Sequence, residues 1–200
     1  VPEGLTNSEF REYLLSQMPK TIKDIRLVKD NLVIYTGAEN ISDLLNFLKG
    51  DSTSKFSQLI TLTAVDYPER KKRFEIVYCL LSLVYNRRVI VKISTDEETP
   101  VESIVPIYSA AGWYEREVWD LYGVKFANHA DLRRILTDYG FEGHPMRKDF
   151  PLTGYLEVRY DEEEKKVVYE KVNLNQEFRS FDYLSPWEGA KYAFENEEAK

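Results

Sequence analysis

Reactive side chains are scarce in this chain: its 200 residues hold one cysteine, two histidines and two methionines. The single thiol, Cys79, excludes an internal disulfide. It also excludes a self-contained iron–sulfur or structural zinc–thiolate site, because each needs several converging ligands. By the usual burial of free cysteine it reads as a small apolar residue in a strand. Long apolar runs are missing too. The longest apolar-rich stretch, Ile76 to Tyr85, falls short of the roughly 20 residues a spanning helix needs, so any membrane association is indirect. Positive charge is in deficit, with 27 basic against 34 acidic residues, a net charge of −7 and a pI near 5.1. No basic field is left to hold a phosphate backbone, which excludes nucleic acid as a partner. The acidity sits in the second half: residues 1 to 110 carry 14 basic and 15 acidic groups, residues 111 to 200 carry 13 and 19. There are no internal repeats. The chain opens at Val1 without a methionine, which fits removal of an upstream targeting segment.

What is present is an ordinary globular mixture, 43% hydrophobic and 30% charged, with 14% aromatic residues that call for a core or an interface to bury ring area. Asn7 and Ser8 are candidate caps of a helix with Phe10, Tyr13, Leu14 and Met18 on one face, stopped by Pro19. "IKDIRLVKDNLVIYT" reads as two strands about a tight Asp30-Asn31 turn. Asn40 opens a second helix striped with Ile41, Leu44, Leu45 and Leu48, and Gly50 is placed as its left-handed cap. Three strand-like runs follow, "FSQLITLTAVDY", "RFEIVYCLLSLVY" and "RRVIVKIS". The middle one is apolar on both faces, the mark of a strand covered on two sides. "TPVE" at 99 to 102 has the look of a capped helix start, limited by Pro106, and "WYEREVWDLYG" gives a further helix after Gly112.

This order describes an α+β domain over residues 1–125, with helices on one side of a mixed or antiparallel sheet. Residues 126–200 read as a long extended C-terminal strap. Within it "YLEVRY" and "KVVYEKV" form a β-ribbon about the acidic "DEEEK" tip, and a lone ribbon needs something to lie on.

Catalytic motifs are thin. Glu115, Glu117 and Asp120 invite a general-acid or metal reading, but Glu115 points away from the other two on a helix, and Arg116 sits where it would pair with Asp120. His129 and His144 lack metal-ligand spacing, and His144 is read as tying down its own loop. No nucleophile elbow, P-loop or dinucleotide fingerprint occurs. A stand-alone carboxylate/His hydrolase or a small-molecule binding domain stays open as the alternative.

The stretch "RILTDYGFEGHPMRKDFPLTGY", residues 134 to 155, has neither helical nor strand period. Gly140 fits the end of a short helix "DLRRILTDY", and Pro145 and Pro151 hold the backbone extended. Arg147, Lys148 and Arg159 can fork onto a partner's carboxylates, while Phe141, Phe150 and Tyr155 offer rings to its pockets. No intrachain partner other than Asp149 is evident for Arg147 and Lys148. Arg133, Arg134, His144, Asp149, Phe178, Arg179 and Trp187 complete the set expected at an interface.

"YEREVWDLYGVKFANHADLRRILTDYGFEGHPMRKDFPLTGYLEVRYDEEEKKVVYE", followed by "QEFRSFDYLSPWE", closely resembles the thirty-kilodalton subunit family of respiratory complex I, the proton-pumping NADH:quinone oxidoreductase. "GHPMRKDFPL" is its most specific part, and residues 1 to 110 follow the family mainly in length and element order. Ala130 stands where proline is usual and Met146 where leucine is usual. The resemblance implies a structural and assembly subunit of the peripheral arm with no catalytic, cofactor or metal residue of its own. NADH, FMN, iron–sulfur clusters and quinone would be carried by other subunits. Its partners would be the large quinone-module subunit and neighbouring iron–sulfur subunits. Its place would be the matrix side of the mitochondrial inner membrane or the cytoplasmic side of a bacterial plasma membrane.

Overall fold

A computed structural model describes residues 4–29, 31–176 and 179. The chain divides into two compact units, Val1–Leu152 and Thr153–Lys200.

The first unit is built on a five-stranded sheet of β1 (Ile22–Val28), β2 (Asn31–Thr36), β3 (Gln58–Asp66), β4 (Phe74–Ser82) and β5 (Arg87–Thr95). The spatial order is β1-β2-β5-β4-β3; β2 and β5 run parallel and the other pairs antiparallel, so the sheet is mixed. Alternate residues make the core: Leu62 and Ala64, Ile76, Tyr78 and Leu80, Val89, Val91 and Ile93 are buried. Against them pack α1 (Asn7–Gln17) through Phe10 and Leu14, α2 (Ile41–Gly50) through its leucine stripe, and α3 (Ala111–Tyr122) through Ala111 and Val118. The opposite phase of β4 is less covered than its composition suggests. Val77, Cys79 and Leu81 are only half-buried, so the thiol lies in a strand as expected but not in the core.

Both edges of this sheet are closed to strand addition. β1 and β3 each carry a bulge, between Ile22 and Asp24 and between Leu59 and Thr61. In each strand a helix side chain also bonds a carbonyl, Arg11 Nε to Ile25 O at 3.1 Å and the Tyr114 hydroxyl to Ile60 O at 3.0 Å.

Local signals were misplaced at several ends. Thr6, not Asn7 or Ser8, caps α1: its Oγ1 accepts from Glu9 N while Glu9 Oε2 accepts from Thr6 N, a reciprocal box. The first hairpin turns one residue early, with Asn31 already in β2 and Lys29 at φ +46°; Asp30 lies outside the described residues. Gly50 is the last residue of α2, and the cap is Asp51 in an extended conformation. "TPVE" is not a helix start. Asp96 accepts the amides of Glu98 and Thr99, and Val101–Glu102 becomes β6, paired in parallel with β7 (Phe126–Ala127), because that bridge satisfies backbone groups a short proline-limited helix would leave open.

Compactness breaks at Leu152 rather than near residue 125. Residues 128 to 152 have no regular structure, yet their polar groups bond to α3 and β3, which makes them part of the first unit. The second unit contains the expected ribbon, β8 (Leu156–Asp161) antiparallel to β9 (Lys166–Lys171).

Candidate functional site

The end of α3 organises the segment that follows it. Asp120 is fully buried, and its Oδ2 accepts three successive amides, Ile135 at 3.0 Å, Leu136 at 2.8 Å and Thr137 at 2.9 Å. Its Oδ1 accepts from Arg134 Nη1 at 2.8 Å and from the Thr137 hydroxyl. This carboxylate replaces the helical bonds that "DLRRILTDY" would otherwise make, so the expected short helix ending at Gly140 is absent and the chain wraps around one anion. Burial alone would push the Asp120 pKa up; the Thr137 hydroxyl, the amides and Arg134 outweigh that and hold it well below the usual aspartate value.

Arg116 does not pair with Asp120. It donates to the carbonyls of Arg133 at 3.2 Å and Arg134 at 3.0 Å, holding the same turn from its other side. The C-terminal carbonyls of α3, which a helix cannot satisfy itself, are taken in order by the following loop. His144 Nδ1 lies 2.9 Å from Asp120 O, Met146 N donates to Leu121 O at 3.0 Å, and Arg147 Nε donates to Tyr122 O at 2.6 Å. Gly123 permits this contact. It takes φ +81°, and a Cβ there would lie 2.3 Å from an Arg147 nitrogen and 2.6 Å from the His144 ring.

A second buried carboxylate anchors the far end of the loop. Asp66, at the last position of β3, receives Arg73 through Nε at 2.8 Å and Nη2 at 2.7 Å, and Lys148 N at 2.8 Å. Arg73 reaches Glu97 and Asp149 as well, and Arg147 Nη1 donates to Glu97 at 3.0 Å. Arg147 and the Lys148 backbone therefore do have partners within the protein. The third buried carboxylate, Glu115, accepts from Ser103 Oγ and Ile104 N, both at 2.7 Å, with His129 Nε2 3.9 Å away. Burial raises its pKa, and the two hydrogen bonds only partly offset the shift.

The expected interface residues thus separate. Arg134, His144, Arg147 and Asp149 point into this network and hold the loop down. Phe141 and Phe150 stack on each other at 5.8 Å. Arg133 is exposed and paired with Asp131, and Lys148 is exposed. In the second unit Tyr155 and Arg159 are exposed, and Arg179 is exposed. Phe178 and Trp187 lie outside the described residues. Sequence reading missed Asp66, Arg73, Glu97, Ser103, Arg116 and Thr137. The usable signal was phase: Asp66 stands where the alternation of β3 requires an inward residue, and an inward carboxylate must be paired.

The three buried carboxylates have their lone pairs committed to backbone amides, hydroxyls and guanidinium groups of the protein itself, which is the arrangement of a scaffold. That scaffold is a known one. The family described as "Respiratory-chain NADH dehydrogenase, 30 Kd subunit" matches residues 34–156. The chain belongs to this family. Among the relatives, the C subunit of the NADH-quinone oxidoreductase of Caulobacter vibrioides is 60% identical over 84% of both proteins. The protein of the same name from a Chelativorans species is 54% identical over 93% of both. "NADH-ubiquinone oxidoreductase subunit 9" of Reclinomonas americana is 57% identical over 90% of this chain and 88% of the relative. One solved structure, from the membrane-bound sulfane sulfur reductase, an archaeal respiratory membrane complex, superposes with a TM-score of 0.63. It is 28% identical, and the match covers 74% of this chain and 87% of that one.

Proposed function

We propose that this member of the 30-kilodalton subunit family is a non-catalytic structural and assembly subunit in the peripheral arm of a proton-pumping NADH:quinone oxidoreductase. It binds the large quinone-module subunit and neighbouring iron–sulfur subunits, which carry the NADH, FMN, cluster and quinone chemistry. The observation that carries this reading is 60% identity across 84% of both proteins to a relative named as such a subunit. The site geometry agrees with it, since the buried carboxylates fix a loop whose outer side presents Trp113, Leu136 and Tyr139, all strongly exposed. Such aromatic and arginine-rich surfaces are where binding energy concentrates. Among the described residues no helix is long and apolar enough to cross a membrane, which fits attachment through other subunits. Relatives from bacteria and from Reclinomonas americana fit either the bacterial plasma membrane or the mitochondrial inner membrane. A native gel of mild-detergent membrane extracts, probed for this protein and stained for NADH oxidation, tests the assignment. Co-migration is expected; a protein running only as a free species would refute it.

A further inference from the structure

We infer that the β8–β9 ribbon docks through one face onto a partner subunit whose surface is apolar along the ribbon and basic at its tip, an inference that rests on the subunit reading above. Register puts Leu156, Val158 and Tyr160 on the same face as Tyr169 and Val167. All five are more than half exposed, from 54% to 59%. The other face is charged and satisfied within the ribbon: Arg159 pairs with Glu170 at 3.0 Å and with Asp161 at 3.3 Å. A two-stranded ribbon in water is marginal, and this one keeps its internal ion pairs on one side and leaves its apolar side chains outward on the other. That is the reverse of what a solvent-bathed ribbon needs and what a docked one requires.

Charge selects the occupant. Residues 156–171 carry six acidic and four basic groups, a net of −2, with Asp161 to Glu164 gathered at the turn. Such a tip repels anionic lipid and phosphate backbones, and two copies laid together would add to the repulsion. A protein surface with lysine or arginine beside an apolar strip complements both features.

The test places a photoreactive benzophenone side chain at position 158, 167 or 166 of the full-length protein in cells that assemble the complex, followed by irradiation, native separation and sequencing of cross-linked peptides. Positions 158 and 167 are expected to label one subunit of the NADH-oxidising band, in an apolar segment next to basic residues, and position 166, on the charged face, is expected not to. Equal labelling from 166, labelling of lipid or of a second copy, or no cross-link from a protein present in the band would overturn the inference and leave the subunit reading standing. Absence of the protein from that band would overturn the subunit reading, and the inference with it. As a second readout, Val167→Glu is expected to lower recovery in the band by at least about tenfold while Val168→Glu on the opposite face does not. Equal losses would overturn the inference. Purified protein is expected not to co-sediment with phosphatidylcholine–phosphatidylglycerol vesicles; co-sedimentation abolished by Val167→Glu would assign the face to the membrane instead.

Discussion

Asp120 shows how a residue that resembles a catalytic acid can be architecture. One carboxylate receives three amides, a hydroxyl and a guanidinium, so removing it strands five donors at once. Asp120→Ala is expected to cost about 3–5 kcal/mol in denaturant unfolding of the isolated protein, the range for breaking a buried charged pair. The pKa values of Asp66 and Asp120 are depressed in the fold, so their contribution is fully present above the ordinary aspartate pKa and is lost as pH falls through the folded values. Acid unfolding below about pH 4 should therefore be steep, and shallower in Asp120→Ala. Glu115 runs the other way. Its pKa is raised, so the fold holds a proton longer than the unfolded chain and stability falls as pH rises from the ordinary glutamate value through the folded one. Glu115→Gln should remove that part of the slope and compare better with the parent at pH 7 than at pH 4. A variant whose deficit is larger at pH 7 would contradict the assignment.

At the scale of elements, the loop from Asn128 to Leu152 behaves as part of the first unit. Limited proteolysis of the free protein is expected to leave a stable fragment reaching about residue 150, with first cuts beyond Leu152; a stable fragment ending before residue 140 would count against this packing. Arg147→Ala should lower the melting temperature of the isolated protein as well as assembly, because the side chain bonds Tyr122 O and Glu97. Unchanged melting with lost assembly would mean that Arg147 acts only across an interface. The strands, the three main helices and the ribbon were legible in the sequence because period and turn residues are local signals. The loop was not. Its order comes from Asp120 and Asp66, which lie 15 and 82 residues away from the Ile135 and Lys148 amides they bind, and no local pattern reports such a bond. "TPVE" failed for the same reason: its cap signal was real, but pairing with Phe126 and Ala127 took the backbone.

The whole molecule joins a rigid mixed-sheet unit with bulged, side-chain-capped edges to a ribbon with an open apolar face. The first resists strand-by-strand aggregation, and the second gives an assembly something to grip. Its family membership and its committed carboxylates lead to one claim, that this protein builds the enzyme and takes no part in its chemistry. The most direct measurement is the yield of assembled NADH:quinone oxidoreductase together with turnover per assembled complex in membranes carrying Glu115→Gln or Glu117→Gln. The account predicts that any loss appears in yield while turnover per complex stays within about twofold of the parent; normal yield with turnover down about a hundredfold would contradict it.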